Sequence, residues 1–526
     1  MSNPIYFWFR RDLRLNDNHG LYQALQLAAS QQLRVQCVFI FDTNILSRLS
    51  NTQDARVQFL HREISSLKKE LRSHGSDLEV WHGNPIALWE NAIVQNTPYA
   101  IFCNSDYEPS AIKRDHAIAE ICNTHNVSFQ SYKDICIFEK SEVVKDDSKP
   151  YTVYTPYSKK WKAKLAIEPL TFYPSETKLA QLSQQKETEN FPIPTLAELG
   201  FESFDFEYPE KTVTQSLIKE YTDKRNFPAI RGTSKLGLHF RFGTISIREK
   251  LQKALSLNET FVNELIWRDF YLQILWHFPQ VVGNAFKIQY DRIQWLNDEG
   301  DFELWKSGNT GYPIVDAGMR ELNTTGFMHN RVRMIVASFL TKHLLIDWRL
   351  GEAYFAEKLL DFELASNNGG WQWAAGCGVD AAPYFRVFNP TLQTEKFDKH
   401  YEYIKKWVPE LAHLPISFIH EPYLMTALDQ QFNNFKLGEA YPNPIIEIKH
   451  ARKKASDILW NMKKDARVKE ENYNTIITVQ NEKYSILESH TKQLEWDLKK
   501  LKVKNKFTSI LSGSAILILG TFLIIK

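Results

Sequence analysis

Five short apolar segments rich in β-branched and aromatic residues recur in the first quarter of the chain. They are "IYFWF" (5–9), "VQCVFIF" (35–41), "LEVW" (78–81), "AIFC" (100–103) and "VSFQSY" (127–132), with helix-length segments between them. This alternation predicts a parallel α/β sheet domain over residues 1–132. No GxGxxG follows the first strand, so the pattern does not support a seat for a dinucleotide pyrophosphate at that turn.

The pattern changes twice further along the chain. Residues 133–210 are polar and rich in proline, which predicts an interdomain connector that crosses the surface. After residue 211 the strand pattern disappears, and "NELIWRDFYLQILWHF" and "NRVRMIVASFLTKHLL" carry apolar residues at three- and four-residue spacing. We therefore predict an all-α domain over residues 211–462.

Two further segments follow this domain. Residues 463–506 are charged and compatible with a helix, and a heptad a and d pattern predicts either a short coiled coil or a solvated amphipathic helix; its members are Tyr484, Leu487, Thr491, Leu494, Leu498 and Leu501. Residues 507–525, "FTSILSGSAILILGTFLII", carry no charge and are long enough to cross a bilayer. Lysines before this segment would keep the body on the cytoplasmic side. We expect a membrane tether here; the alternatives are an apolar helix that docks on a groove, or a fused tail.

Composition narrows the class of protein. A chain of 526 residues with 43% hydrophobic residues is too long for one core and predicts two or three domains. A net charge of only +2 means that a nucleic-acid partner would need a local basic face. The N-terminus has no secretory signal, so we expect a cytoplasmic protein. The odd number of cysteines and the lack of any CxxC pair or HExxH predict reduced thiols and no metal site; they are Cys37, Cys103, Cys122, Cys136 and Cys377.

Tryptophan is concentrated in the predicted helical domain, where seven of the fourteen lie between Trp267 and Trp373. Core packing explains any one of them taken alone. The stretch "GGWQW" (369–373), however, places two indoles beside bare backbone, which a flat ligand can approach closely. Two tryptophan faces within three residues can serve two different planar partners.

Three polar stretches could meet such partners. "RGTSKLGLHFRFGTIS" (231–246) offers hydroxyls and backbone amides before a helix, either as a phosphate seat or as an ordinary cap. Glu264 and Arg268 have i,i+4 spacing on one helix, which also suits a surface ion pair. "HNRVRM" (329–334) puts two arginines in one turn, where a solvated basic face is the alternative. None of these stretches carries a function alone.

Taken together and in this order, these stretches resemble the photolyase/cryptochrome flavoprotein family, most closely its class I cyclobutane pyrimidine dimer photolyases. The similarity covers about residues 4–450 and includes "YFWFRRDLRLNDN", "YTPYSKKW", "NFPAIRGTSKLGLHFRFGTIS", "NELIWRDFY", "TGYPIVDAGMRELNTTGFMHNRVRMIVASFLTKHLLIDWR" and "DFELASNNGGWQWAAGCGVDAAPYFRVFNP". It implies the photolyase fold, with an N-terminal α/β domain that can hold an antenna pigment and an all-α domain that buries FAD.

The resemblance also implies a set of FAD contacts. Asn367 would face the flavin N5, and Arg333 and Asp361 would pair near the isoalloxazine ring. The positions that match FAD contacts are Tyr221, Thr233, Ser234, Lys235, Leu236, Gly237, Phe261, Glu264, Arg268, Asn330, Arg333, Asp361, Glu363 and Asn367.

Some positions depart from the family pattern. Gly237, Phe261 and Glu363 stand where members often carry Ser, Trp and Asp, and we expect FAD still to bind. Ser110 and Ala111 stand where folate-binding relatives carry Asn-Glu. That change argues against methenyltetrahydrofolate and leaves a deazaflavin, another flavin or no second chromophore as alternatives.

A lesion pocket follows from the same resemblance. Trp267 and Trp373 would form aromatic walls around a flipped-out pyrimidine dimer, while Glu264 and Asn330 would hydrogen-bond the pyrimidine edges. Met334 would pack on the dimer; members that repair (6-4) photoproducts typically carry histidine there, so this position favours cyclobutane dimers.

Electron supply and DNA binding complete the implied site. The electron relay from the flavin to the surface would consist of Trp371, Trp348 and Trp295. The DNA phosphates around the lesion would be held by Arg225, Arg331 and Arg386.

The implied activity is the light-driven splitting of cyclobutane pyrimidine dimers in DNA by an electron from excited reduced FAD, which makes the protein a light-dependent carbon-carbon lyase with a monomeric body. One alternative is a cryptochrome-like blue-light photoreceptor that signals through its C-terminal tail. Another is a flavin-binding scaffold recruited to the membrane. The intact set of lesion residues favours repair, since a pure receptor has no chemical need of it.

Overall fold

The computed structural model describes residues 3–184, 191–381 and 386–464. The residues up to Leu459 form one compact unit, which includes the α/β part and the helical part. The predicted coiled-coil segment lies outside the described residues except for residues 463 and 464, and the apolar segment 507–525 lies wholly outside them.

The N-terminal part is built on one parallel sheet in the order β3-β2-β1-β4-β5. The central strand pairs in register with its two neighbours, so that Ile5 lies opposite both Val35 and Ala100. All five of its residues are buried, which explains a continuous apolar run where an exposed sheet would alternate. The predicted parallel α/β domain is confirmed; its strands are β1 (Ile5–Phe9), β2 (Val35–Asp42), β3 (Leu78–Gly83), β4 (Ala100–Asn104) and β5 (Ser128–Tyr132).

Helices connect the strands, and side chains that precede them supply the N-terminal caps. Asn18, Asp54 and Asn84 each accept a hydrogen bond from a backbone amide in the first turn of the following helix. These helices are α1 (His19–Gln31), α2 (Thr43–Leu46), α3 (Ala55–Ser73), α4 (Pro85–Gln95) and α5 (Pro109–Thr124). The connector contains α6 (Tyr154–Ile167) and a 3₁₀ helix (Ser175–Gln181). It does more than cross the surface, because Tyr157 and Trp161 of α6 are buried in the core of the helical domain.

The rest of the described chain is helical, as predicted. Its α-helices are α7 (Gln215–Lys219), α8 (Tyr221–Lys224), α9 (Gly237–Phe242), α10 (Ile247–Leu255), α11 (Glu259–His277), α12 (Glu299–Ser307), α13 (Pro313–Thr325), α14 (Asn330–Lys342), α15 (Trp348–Lys358), α16 (Leu364–Ala375), α17 (Pro390–Phe397), α18 (Glu402–Trp407), α19 (Ala427–Phe432) and α20 (Ile448–Lys464). Short 3₁₀ helices occur at Pro279–Val282, Ile288–Arg292, Pro409–Leu411 and Pro422–Leu424. Helix α16 packs against α11, α14 and α15, and these four helices surround the site described below.

A buried group of charges joins the sheet domain to the helical domain. Arg248 of α10 pairs with Asp17 (2.8 Å) and Asp134 (2.7 Å), and Arg14 pairs with Asp134 at 2.8 Å. Burial alone would raise the pKa of Asp134, but the guanidinium groups of Arg14 and Arg248 hold it below its ordinary value. Breaking one of these buried pairs leaves an uncompensated charge, so the group ties the two domains together.

The prediction of a transmembrane protein is wrong on the evidence of the fold. Within residues 3–184, 191–381 and 386–464, no helix is both long and apolar enough to span a bilayer.

Candidate active site

A cavity of about 450 Å³ opens between α11, α14, α15 and α16, within the size range of small-molecule sites. Thirteen of the residues singled out in the sequence line it: Arg225, Gly237, Glu264, Trp267, Arg268, Asn330, Arg333, Met334, Asp361, Glu363, Asn367, Trp371 and Trp373. All five predicted lesion residues are among them, beside six of the positions predicted to contact only FAD.

Helix α16 divides the "NNGGWQW" stretch between two faces. The residues turned to the cavity are Asn367, Gly370, Trp371 and Trp373. Asn368 and Gln372 point the other way, and both donate to the carbonyl oxygen of Val281 at 2.9 Å. Among the described residues, no atom lies within 4 Å of the position that a Cβ on Gly370 would take, whereas Gly369 faces the ring of Tyr271. One glycine therefore exposes backbone to a ligand, and the other makes room for a neighbouring ring.

Asn367 is oriented by the half-buried carboxyl group of Glu352. Its Nδ2 donates to Oε1 of Glu352 at 2.8 Å and to the carbonyl oxygen of the same residue at 3.1 Å. Burial raises the pKa of Glu352, and the hydrogen bond from Asn367 lowers it in part. Because the amide NH₂ is engaged, the amide oxygen is the atom left to accept a hydrogen bond from a ligand.

An ion pair between Arg333 and Asp361 also lines the cavity. Nη2 of Arg333 lies 2.9 Å from Oδ2 of Asp361, and Nε of Arg333 donates to the carbonyl oxygen of Met328 at 2.8 Å. A Cβ added to Gly237 would lie 2.9 Å from Oδ2 of Asp361. The serine that family members often carry at this position would therefore not fit without moving the carboxylate.

A second acidic residue joins the cavity to the sheet domain. Oε1 of Glu363 lies 2.7 Å from Nη2 of Arg268 and 2.6 Å from Nη2 of Arg11, which follows β1. Burial alone would raise the pKa of Glu363, but the two guanidinium groups hold it below its ordinary value. Through this carboxylate, one side chain connects the cavity wall to the carboxyl edge of the sheet.

Glu264 and Arg268 do not pair with each other, although they lie one turn apart on α11. Glu264 forms its ion pair with Arg225 instead. The residue predicted to hydrogen-bond a pyrimidine and a residue predicted to hold a DNA phosphate are therefore paired with each other in this structure. Burial raises the pKa of Glu264, and Arg225 offsets part of the rise.

Helix α14 presents two of the predicted lesion residues, Asn330 and Met334, from its first turns. Its N-cap is His329, whose Nδ1 accepts from the amide of Arg331 at 3.1 Å. Asn330 begins the helix and is exposed, and Met334 lies one turn further on the same face.

Trp267 has a partner that the sequence reasoning missed. The ring of Tyr154, in the connector helix α6, stacks on the indole of Trp267 with centroids 3.7 Å apart and planes at 2°. The hydroxyl of Tyr154 donates to the carbonyl oxygen of Asn263 at 2.9 Å. Tyr154 belongs to the quoted stretch "YTPYSKKW", but spacing along the chain gives no sign of a contact across more than a hundred residues.

Six of the positions predicted to contact FAD lie outside the cavity lining: Tyr221, Thr233, Ser234, Lys235, Leu236 and Phe261. Tyr221 and Phe261 pack edge to face at 5.2 Å within the core. Ser234 accepts from the amide of Leu236 at 3.4 Å, and Lys235 has a φ of +52°. Ser234, Lys235 and Leu236 lie directly before the six-residue helix α9.

The predicted electron relay begins at the cavity wall. Trp371 lies against Gly351, one turn after the buried Trp348 on α15. The ring of Trp371 contacts Phe355 at 5.0 Å and Trp305 at 6.1 Å between centroids. The sequence analysis predicted neither of these two residues as part of the relay. Trp295 is half-buried and lies in an irregular segment.

The remaining predicted residues lie nearer the surface. Arg331 donates to Oδ1 of Asn226 at 2.7 Å, and Arg386 is exposed. Ser110 and Ala111 lie in the first turn of α5, where Ala111 is buried. The cavity residues that the sequence analysis missed are Phe240, Tyr271, Ala337, Phe355, Leu359, Phe362 and Ser366. Helical phase could have found some of them, since Tyr271 is one turn after Trp267 and Ala337 is one turn after Met334.

The two parts of the chain match two described families. Residues 5–175 match the family DNA photolyase, and residues 261–461 match the family FAD binding domain of DNA photolyase. A deoxyribodipyrimidine photo-lyase of Halobacterium salinarum is 37% identical over 85% of this chain and 97% of its own length. The one of Escherichia coli is 35% identical over 85% of this chain and 96% of its own length.

Solved structures agree with these relatives. A class III photolyase from Agrobacterium tumefaciens superposes with a TM-score of 0.76 at 31% identity, covering 88% of this chain and 98% of that one. An archaeal photolyase from Sulfolobus tokodaii, solved with two FAD molecules, gives 0.73 at 35% identity, covering 87% and 100%. A Synechocystis cryptochrome gives 0.77 at 27% identity, covering 86% and 99%.

The cavity also fits the cofactor that this family description names. An open glycine backbone, an amide oxygen free to accept and two arginine-carboxylate pairs are suited to a large planar ligand with polar edges. The fold, the cavity and the relatives agree, and this chain belongs to the photolyase/cryptochrome family.

Proposed function

We propose that this protein repairs cyclobutane pyrimidine dimers in DNA under blue or near-UV light, with FAD as its cofactor. The observation that carries the proposal is the cavity itself, which is lined both by the five residues predicted to contact the lesion and by residues suited to a flavin. A receptor or a scaffold that only binds flavin would not need the lesion residues.

The cofactor end of the cavity would hold FAD through fixed polar groups. Once bound in its reduced form and excited by light, FAD would supply one electron to the dimer, and the electron would return to it after the cyclobutane bonds break. Asn367, held by Glu352, would accept a hydrogen bond at the flavin N5 without adding charge. Arg333 with Asp361 would border the ring, and the open backbone at Gly370 would let it approach.

The lesion end of the cavity would receive the flipped-out dimer. Flipping costs a few kcal/mol and is least costly for a damaged pair, while stacking on aromatic rings returns about 1–3 kcal/mol per base. Tyr154 already covers one face of Trp267, so the dimer would meet the free side of that indole and the ring of Trp373. Selectivity then comes from the lesion and not from the DNA sequence.

Glu264 would hydrogen-bond a pyrimidine edge together with Asn330. Its pKa is raised by burial, so the carboxyl group is closer to holding a proton than an exposed glutamate. Arg225 pairs with Glu264 and also lies at the cavity, which would bring a DNA phosphate and the lesion to the same corner. Such phosphate contacts position DNA without reading sequence.

A blue-light photoreceptor is the second candidate, because a Synechocystis cryptochrome superposes as well as the photolyases do. The fold does not separate the two functions, so the proposal for repair is supported by the residues predicted for the lesion. Repair requires a dimer to enter the cavity, whereas a receptor would keep bound, reducible flavin without acting on DNA.

The test uses the full chain, loaded with FAD and photoreduced, and an oligonucleotide with one thymine cyclobutane dimer. We expect intact thymines to be restored under blue light and not in the dark. Glu264→Ala and Trp373→Ala should abolish most of this restoration. The matched controls Glu259→Ala, an exposed glutamate on the same helix, and Trp407→Ala, a tryptophan outside the cavity, should leave it unchanged. Bound and reducible FAD with no restored thymines would favour the receptor.

A further inference from the structure

Two buried side chains on helix α14 hold the segment that follows the "GGWQW" helix. Ser338 and Lys342 lie one turn apart on α14 and are 2% and 1% exposed. Oγ of Ser338 accepts from the backbone amide of Phe388 at 3.3 Å. Nζ of Lys342 donates to the carbonyl oxygen of Arg386 at 3.0 Å.

The anchored segment carries an exposed arginine and a ring that lies near Trp373. The side chain of Arg386 is exposed, and the sequence analysis assigned it to a DNA phosphate. The ring of Phe388 lies 6.4 Å from the indole of Trp373, with planes at 30°. Residues 386–389 have no regular secondary structure. The two hydrogen bonds from α14 therefore take the place of the backbone hydrogen bonds that a helix or sheet would supply.

Lysine is a costly anchor at this position. The hydrogen bond of Nζ goes to a backbone carbonyl oxygen, and burial lowers the pKa of Lys342 to about 8. The titratable groups that face it are the Cys377 thiol, which opposes the shift, and the guanidinium of Arg386, which adds to it. A neutral donor would make the same hydrogen bond with a smaller loss of hydration, so Lys342→Gln keeps the anchor without the buried charge.

We propose that Lys342, with Ser338, is a positioning residue for DNA binding: it holds the backbone of Arg386 and Phe388 so that the guanidinium meets a phosphate and the lesion wall stays in place. The inference rests on the proposed function, since it assumes that Arg386 contacts DNA. It assigns α14 two tasks, with lesion contacts at its start and anchors for the DNA-facing segment at its end.

The test compares Lys342→Met with the wild type in the full chain loaded with FAD. Binding to an oligonucleotide with one thymine dimer is followed by fluorescence anisotropy. We expect affinity to fall about tenfold, as for the loss of one well-placed charge contact, with FAD content and flavin photoreduction unchanged. The midpoint of thermal unfolding should not fall, because the substitution removes a buried charge. Lys342→Gln keeps a neutral donor and should recover part of the affinity.

A double-mutant cycle separates positioning from general structure. If Lys342 acts through Arg386, then Lys342→Met should cost at most about twofold in affinity when Arg386→Ala is already present. Both single variants should lower the salt dependence of binding by a similar amount, since both lose the same phosphate contact. Additive effects, or parallel losses of affinity, FAD content and thermal stability, would overturn the inference. A wild-type protein that does not prefer dimer-containing DNA would instead overturn the proposed function, and this inference with it.

Discussion

Replacement of Gly351 by alanine is expected to disturb the wall of the cavity by displacing the indole of Trp371. Gly351 is the fourth residue of α15, and a methyl group there would overlap the six-membered ring of Trp371 and approach Leu340 at 2.6 Å. Ordinary contact for a Cβ begins at 3.4 Å, so the indole must move by about 1 Å or more. Alanine would favour the helix by about 1 kcal/mol, whereas overpacking costs about 1–3 kcal/mol. We expect a net destabilisation of up to about 2 kcal/mol.

Two measurements check this expectation. Urea unfolding of the wild type and Gly351→Ala gives the change in free energy of unfolding. The rate at which blue light reduces oxidised flavin, measured from the flavin absorbance, reports on Trp371, and we expect this rate to fall because the indole no longer lies in its place beside the cavity.

Gly370→Ala is the matched control for the same substitution. No described atom lies within 4 Å of its Cβ position, so the helix gains about 1 kcal/mol without a clash inside the protein. Because this methyl group would project into the cavity, FAD retention should fall while the stability of the cofactor-free protein rises. If Gly351→Ala left both stability and photoreduction at wild-type values, the argument that Gly351 makes room for Trp371 would be refuted.

Three other outcomes follow from buried contacts. Glu363→Gln should lower the free energy of unfolding by about 3 kcal/mol, since Arg268 loses its carboxylate partner, whereas Arg11 keeps Asp106 and Glu108. Because the folded pKa of Glu363 lies below its ordinary 4.5, its contribution is present above that pH and lost as the pH falls through the folded value, which acid unfolding of both proteins would show. Tyr154→Ala should weaken binding of dimer-containing DNA, while Tyr154→Phe keeps the stack on Trp267 and most of the affinity, measured by anisotropy. The folded pKa of Lys342 is about 8, against an ordinary 10.5. The buried charge therefore destabilises the fold fully below pH 8 and no longer above pH 10.5. In urea unfolding, the free energy of unfolding of the wild type should rise by about 3 kcal/mol over this pH range relative to that of Lys342→Met.

Much of the fold was predictable because its signals are local. An apolar run such as "IYFWF" predicts a strand buried on both faces, and apolar residues at three- and four-residue spacing predict helices with one apolar face. The apolar segment 507–525 shows the limit of the same reasoning, since length and lack of charge alone suggested a membrane span that the described helices do not support.

The candidate site was predictable where resemblance named positions, and much less so where partners had to be found. The i,i+4 spacing of Glu264 and Arg268 suggested a pair, but each finds its partner elsewhere, in Arg225 and Glu363. Helical spacing states which side chains share a face, and it does not state which distant charge will lie within reach of that face.

By itself, the sequence determined the parallel sheet, the helical domain, the family and the residue types of the cavity, because periodicity, caps and motifs are properties of neighbouring residues. Only the tertiary structure decided that Gly370 and not Gly369 opens to the cavity, that Tyr154 stacks on Trp267, and that Lys342 holds the backbone of Arg386. Each of these contacts depends on how helices far apart in the chain pack together. That placement minimises the energy of the whole core, so no short stretch of sequence contains it.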